Sequence, residues 1–239
     1  GRRTEIFEPN AVPGLTNKWL SHFVQKCFVT SDAAAVNFPS SKVVSAGMPL
    51  RGGLDWHPRE LHPELRILVT GGSQGAKAIN EVVSLAVERG GDWTKGLALV
   101  HQTGAGDFER VKKRYEKSKM GLEVHAFLHD MPVRMAWADV VIGRSGAGTV
   151  AELAAMAKAA VLVPFPYAAD NHQQKNAEVL ERAGACVMIL QKDLTVERLV
   201  TLLKEFKSDR KKIEELESKI LAFHKPGSAA MIAGHMVGR

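Results

Sequence analysis

Ile67-Leu68-Val69-Thr70-Gly71-Gly72-Ser73-Gln74-Gly75-Ala76 runs from a short apolar segment through a glycine-lined bend into helix-period sequence that continues to Arg89. Glycines let a backbone turn sharply and come close to a neighbour, because no Cβ stands in the way. The helix start beyond the bend offers unpaired N–H groups and a positive dipole end, which suit a phosphate. Ser73 and Gln74 can add side-chain hydrogen bonds. The same glycines also serve strand-to-helix packing without any ligand, so both readings stay open at this point.

Outward from that stretch the pattern recurs. Strand candidates are Ile67–Thr70, Leu97–Gln102, Leu122–Phe127, Val140–Ile142, Ala160–Val163 and Val187–Leu190, and helix-period stretches lie near Ala76–Arg89, Phe108–Lys119, Met131–Trp137, Thr149–Met156 and Gln173–Ala183. Strands alternating with helices of about ten residues predict an α/β fold with a parallel sheet. Continuous apolar strands such as Val161-Leu162-Val163 fit a sheet covered on both faces, and six of them make one complete Rossmann-like domain. Residues 1–48 hold a helix candidate near Leu15–Lys26, with Leu15, Trp19 and Phe23 on one face, and strand candidates at Cys27–Thr30 and Lys42–Ser45. That is too little to bury its own core, so it is expected to be the end of a second domain. Residues 49–63, rich in Pro, Gly, His and charge, read as a linker, 64–224 as the complete domain, and 225–239 as a terminal helix after Pro226-Gly227. The Lys/Glu run from Lys211 to Lys219 reads as a solvated helix face.

Three further features bear on chemistry. A redox dinucleotide site wants an acid at the end of the second strand, but that strand ends in His101-Gln102-Thr103-Gly104 and the glycine spacing differs, so such a cofactor is disfavoured. A second glycine-lined bend, Gly143-Arg144-Ser145-Gly146-Ala147-Gly148-Thr149, follows the fourth strand. Two anion-competent bends at strand carboxyl ends suggest a ligand lying across the sheet edge. Arg144 can neutralise a diphosphate or support the loop through a salt bridge. Thr149-x-x-Glu152 matches a helix capping box; alternatively, the Glu152 carboxylate accepts two hydrogen bonds from a ribose diol. After the fifth strand comes Pro164-Phe165-Pro166-Tyr167-Ala168-Ala169-Asp170-Asn171-His172-Gln173-Gln174, whose amides and carboxylate suit sugar hydroxyls. Asp170 or Asn171 serves equally well as a helix N-cap.

Composition narrows the classes. The 239 residues carry a net charge of +6, which suits an anionic partner or plain solubility. Aromatics are scarce and basic residues are interleaved with acids, which argues against nucleic acid. No apolar run reaches the length of a membrane-spanning helix. Cys27 and Cys186 stand far apart in apolar stretches, as buried reduced thiols do. His125 and His129 straddle a strand end and make no metal site, and no nucleophile elbow is present. The sequence opens mid-pattern without a methionine and reads as a piece of a longer protein.

Taken together, GGSQGA (71–76), HQTG (101–104), FLHDM (127–131), ADVVIGRSGAGTVAE (138–152) and VPFPYAADNHQQKNA (163–177) resemble the MurG family, with NAVPGLTNKWLS (10–21) and GMPLR (47–51) extending the likeness. The resemblance implies a GT-B architecture: a complete Rossmann-like donor domain plus the end of a Rossmann-like acceptor domain. It implies an inverting glycosyltransferase of peptidoglycan biosynthesis, moving N-acetylglucosamine from UDP-N-acetylglucosamine to a polyprenyl-diphosphate-linked muramoyl-pentapeptide. No cofactor or essential metal is implied, and the enzyme would sit peripherally on an anionic membrane surface at the cytoplasmic face. By the same resemblance the Leu128 backbone would hold uracil and Glu152 the ribose. Ser73 and the turn Ala147-Gly148-Thr149 would hold the diphosphate and sugar, with Gln74 nearby and Arg144 offsetting charge. Gln173 would meet sugar hydroxyls, while Asn10 and Arg51 would line the cleft from the other side. The general base would precede residue 1, so no catalytic residue is assigned and the piece alone is expected to be inactive.

Two departures from the family pattern stand out. The usual His-Glu-Gln-Asn is Phe7-Glu8-Pro9-Asn10, and a glycine and a proline before the fifth strand are replaced in Ala157-Lys158-Ala159. Two other functions fit the same motifs: a UDP-sugar-binding subunit, inactive alone, of a split membrane glycosyltransferase, and another GT-B enzyme such as a UDP-sugar epimerase.

Overall fold

The computed structural model describes residues 4–54, 56 and 62–237. Three short strands, β1 (Glu5–Glu8), β2 (Lys26–Val29) and β3 (Val43–Ser45), pair in parallel in that order, with α1 (Leu15–Leu20) and α2 (Asp32–Ala35) between them. Their core is small: Val24, Cys27, Val29, Ala34 and Phe38. β1 escaped the sequence reading because Glu5-Ile6-Phe7-Glu8 is too short to show alternation. α1 stops at Leu20, not Lys26, because Lys26 onward is paired to β1. The face expected to carry Leu15, Trp19 and Phe23 lies open to solvent, with the Trp19 and Phe23 rings 5.0 Å apart.

The main sheet comprises β4 (Leu65–Thr70), β5 (Leu97–Gln102), β6 (Gly121–His125), β7 (Val140–Gly143), β8 (Ala159–Leu162) and β9 (Val187–Met188). All pairs are parallel, in the order β6-β5-β4-β7-β8-β9. This is the doubly wound Rossmann order, with the first strand at the centre. Alternation along β4 sends Leu65, Ile67 and Val69 to one core and Leu68 to the other. The first core is closed by α3 (Lys77–Arg89), α4 (Phe108–Tyr115) and α8 (Val196–Ser208). The second is closed by α5 (Met131–Trp137), α6 (Ala147–Ala155), α7 (His172–Arg182) and Ile220 of α9 (Lys211–Leu221). α9 buries Ile213, Leu216 and Ile220, leaving its Lys/Glu run outward.

Of the stretch read as a linker, Asp55 and residues 57–61 lie outside the described residues, while Leu54 is buried in the second core. The last helix, α10 (Ser228–Met236), returns to the small sheet, where His235 meets Phe28 edge-on at 5.5 Å. Among the described residues no helix is long and apolar enough to cross a membrane. Cys27 and Cys186 are both free and buried, and burial pushes the Cys186 thiol up to about 12.

A buried polar cluster supports the carboxyl end of β5. His101 Nδ1 lies 2.7 Å from the Tyr115 hydroxyl and Nε2 lies 3.0 Å from Asn80 Oδ1. Asn80 Nδ2 donates to the Thr103 carbonyl and to Asp107 Oδ2, so its Oδ1 is the acceptor and the imidazole proton sits on Nε2. Burial lowers His101 to about 3, against the opposing pull of Asp107. Below the unfolded value near 6.5 the unfolded chain takes up a proton that the folded chain refuses. Stability is therefore complete above that pH and falls as pH drops toward 3, with a limiting slope of about 1.4 kcal/mol per pH unit. Urea midpoints measured from pH 7.5 down should show this slope, and His101→Gln should flatten it; equal slopes in both proteins would refute a neutral buried imidazole.

The departure at residue 157 has a structural cost. Ala157 holds φ at 47°, the left-handed region in which a Cβ is crowded. Ala157→Gly should raise stability by on the order of 0.5–1 kcal/mol, the relief exceeding the extra freedom of the unfolded glycine. A lower melting temperature in the variant would contradict the strain.

Candidate functional site

β4 is bonded to β5 on one side and β7 on the other, and the helices that follow β4 and β7 pack on opposite faces. The carboxyl ends therefore part at this point and leave a crevice. The cleft there holds about 170 Å³ and is lined by Arg51, Thr70, Gly72, Ser73, Gln102, Phe127, Leu128, Met131, Met135, Thr149 and Glu152.

The first bend is shaped by close backbone approach. A Cβ on Gly75 (φ 74°) would stand 1.9 Å from the Thr103 carbonyl oxygen, and one on Gly104 would stand 2.5 Å from the Gln74 carbonyl oxygen. These two glycines serve packing. Gly72, by contrast, turns with φ 78° and has open space where its Cβ would be. Buried Gln102 ties the bend to the next loop: Nε2 donates to the Gly72 carbonyl at 2.9 Å, and Oε1 accepts the Leu128 N–H at 3.0 Å. Ser73 and Gln74 are exposed at the tip.

At the second bend α6 starts at Ala147 with Gly146 as its cap residue. Thr149 is thus the third residue of the helix and not its cap, so the Thr149-x-x-Glu152 capping box does not form. No side chain caps this end, which leaves the Ala147, Gly148 and Thr149 amides directed at the helix mouth. The Glu152 carboxylate reaches the cleft instead, 3.5 Å from Arg51 Nη2. Burial pushes its carboxyl above the usual carboxylate range, with Arg51 opposing. Arg144 makes no salt bridge among the described residues. Its Nη1 donates to the Val163 and Pro164 carbonyls and its Nη2 to Gln191 Oε1, while the guanidinium lies over Phe165 at 5.3 Å. Burial lowers its pKa to about 10, still charged at neutral pH. It braces the loop after β8.

That loop leads into α7. Asn171 occupies the N-cap position of α7 and Asp170 does not; both take left-handed backbone angles, and the Asn171 side chain makes no capping bond. Gln173 Oε1 accepts the Phe165 N–H at 3.0 Å, and its Nε2 makes no hydrogen bond among the described residues. Asn10 lies on the small-sheet side, with its N–H on Glu8 Oε1 at 2.9 Å. Of the residues singled out from sequence, Arg51, Ser73, Leu128, Thr149 and Glu152 meet in the cleft, with Ala147 and Gly148 at the same helix start. Gln74, Arg144, Gln173, Asn10, Ala147 and Gly148 do not line it, and Ala147 lines a separate cavity beside Asn176. Thr70, Gln102, Phe127 and Met131 were quoted only within strands or motifs and given no role, although the place of Gln102 at the end of the strand beside the switch point was the available signal.

Residues 66–230 match the glycosyltransferase family 28 C-terminal domain. The chain belongs to this family. Curated relatives carry the name UDP-N-acetylglucosamine--N-acetylmuramyl-(pentapeptide) pyrophosphoryl-undecaprenol N-acetylglucosamine transferase. The one from Bdellovibrio bacteriovorus is 41% identical over 98% of this chain and 66% of its own length. The one from Myxococcus xanthus is 40% identical over 98% of this chain and 62% of its own. The family 28 chain thus spans somewhat less than two thirds of these relatives. Its fold matches the crystal structure of Acinetobacter baumannii MurG with a TM-score of 0.84 at 31% identity, over 99% of this chain and 68% of that one. A UDP complex of Staphylococcus aureus MnaA, at 16% identity and a TM-score of 0.64, shares the fold alone.

The contact between Gly75 and Thr103 gives a direct test of the first bend. Gly75→Ala should cost about 2 kcal/mol or more in urea unfolding, since both the positive φ and the carbonyl contact resist a methyl group. A midpoint equal to that of the unsubstituted domain would show that the bend is not closed in this way.

Proposed function

We propose that this family 28 chain is the donor-binding part of an inverting transferase that moves N-acetylglucosamine from UDP-N-acetylglucosamine to a polyprenyl-diphosphate-linked muramoyl-pentapeptide. One observation carries the reading: an uncapped helix start and a half-buried carboxylate, Glu152, share one crevice with the Leu128 backbone at the switch point. Relatives at about 40% identity over nearly the whole chain, whose names state that reaction, support it.

In this reading uracil lies against Leu128 and the ribose diol donates to Glu152. Ser73, with Gln74 beside it, and the amides of Ala147, Gly148 and Thr149 take the diphosphate. Gln173 offers Nε2 to a sugar hydroxyl, while Asn10 and Arg51 face the donor from across the cleft. Arg144 acts through the loop it braces. The acceptor hydroxyl oxygen bonds to the anomeric carbon as the bond from that carbon to the diphosphate oxygen breaks. The electron pair leaves on UDP, where preorganised N–H groups offset the growing charge. The hydroxyl proton passes to a base outside these residues. The whole enzyme would work peripherally at an anionic membrane surface on the cytoplasmic side.

Titration calorimetry with UDP, UDP-N-acetylglucosamine and NAD tests the reading. Both uridine ligands should bind, NAD should not, and sugar transfer by this chain alone should be negligible. Glu152→Gln should weaken UDP about tenfold or more, the worth of hydrogen bonds to a charged group. Because the Glu152 pKa is raised, UDP affinity should fall on mild acidification in the unsubstituted protein and much less in the Gln variant. Heat from NAD with none from UDP would end the proposal.

A further inference from the structure

Asn176 sits on α7, three residues after Gln173 and on the same helix face, and is only 5% exposed. Its side chain joins two distant segments of the chain. Oδ1 accepts the Ala11 N–H at 2.8 Å, and Nδ2 donates to the Ser145 carbonyl at 3.1 Å and to Asn10 Oδ1 at 3.2 Å. Asn10 and Ala11 follow β1 of the small sheet, whereas Ser145 belongs to the bend that opens α6.

The line of hydrogen bonds runs on at both ends. Asn10 gives its N–H and its Nδ2 to Oε1 of the buried Glu8, whose Oε2 accepts Asn17 Nδ2 at 2.9 Å. On the other side the Ser145 hydroxyl donates to the Gln173 carbonyl at 2.8 Å. An unbroken path therefore connects Glu8, Asn10, Asn176, Ser145 and Gln173. Beside it lies a cavity of about 60 Å³ whose lining is mostly apolar, with Met48, Val150, Val179 and Phe223, and includes Thr30 and Ser31. In such surroundings each bond is strong and an unpaired group is costly.

Only a short amide fits this node. It needs one acceptor for an N–H and two donors for two oxygens, which is the asparagine inventory. An aspartate would keep the bond to Ala11 but face the Ser145 carbonyl with a second acceptor.

We infer that Asn176 is a positioning residue that couples the second bend to the Asn10 segment across the cleft, so that filling the bend with a diphosphate fixes the facing side. The inference rests on the donor reading above. The amides at Ala147 to Thr149 lie two to four residues beyond the carbonyl that Asn176 holds, so a shift of the bend is transmitted to Ala11. Such coupling is reciprocal between the two sides.

The test uses this chain with Asn176→Ala, Asn10→Ala and the double variant, each titrated with UDP-N-acetylglucosamine, together with amide exchange at Ala11. Asn176→Ala should bind the donor about tenfold more weakly. The double variant should lose little beyond the larger single effect, because the Asn10 side chain meets the second bend only through Asn176. Donor should slow exchange at Ala11 in the unsubstituted chain and not in the Asn176→Ala protein. Asn176→Asp should retain slow Ala11 exchange without donor yet lose affinity like the alanine variant. If Asn176→Ala fails to fold, Asn176→Asp carries the test, because it keeps the bond to Ala11 and loses the one to Ser145, so donor should no longer slow exchange at Ala11. Donor binding within twofold of the unsubstituted chain in all variants, or strictly additive losses, would overturn the coupling alone. A chain that binds no UDP-N-acetylglucosamine at all would overturn the donor reading as well as the coupling built on it.

Discussion

The position of β4 between β5 and β7 governs the rest of the molecule. Parallel neighbours are reached through crossovers of one hand, so strands added on opposite sides of a central strand send their helices to opposite faces. α3 and α6 accordingly pack on different cores. The crevice is a topological necessity that the loops then decorate. The first turn of α6 reaches it through Thr149, because the crossover begins at a strand end, which is where anions meet a helix dipole.

The loops around the crevice are held chiefly by buried polar side chains. Gln102 bridges the first bend and Leu128, Asn80 and His101 support Thr103, and Asn176 and Ser145 hold the second bend to α7. Each buried amide has its donors and acceptors matched, so moving a loop means breaking bonds that water is not placed to replace. Apolar packing alone tolerates small slippage; these directed bonds do not. The price is that the support fails in units, since removing one partner strands the other.

Much of this architecture was readable from periodicity. Six apolar runs separated by helical spacing specify a parallel sheet, and five of the named contact residues do meet in one cleft. Errors came where local pattern and tertiary demand disagree. Thr149-x-x-Glu152 has the spacing of a capping box, yet the helix begins three residues earlier because Gly146 already takes the extended cap conformation. Arg144 supports its loop through hydrogen bonds and not the salt bridge considered, because the exit of β8 presents two carbonyls to its Nη1. Asn176 leaves no trace in local sequence, since its partners Asn10 and Ala11 are more than 160 residues away. Strand order likewise depends on pairing between distant segments, which no window of residues contains.

α10 has a mechanical consequence. The chain passes from the small sheet to the large one once after Met48 and comes back once before Ser228, where Lys225 and Ser228 crowd Gly47 and His235 rests on Phe28. Besides these two crossings of the chain, the bonds of Asn176 to Ala11 and Asn10 tie the halves together directly, so sliding one half past the other would break directed bonds as well as pull on the backbone.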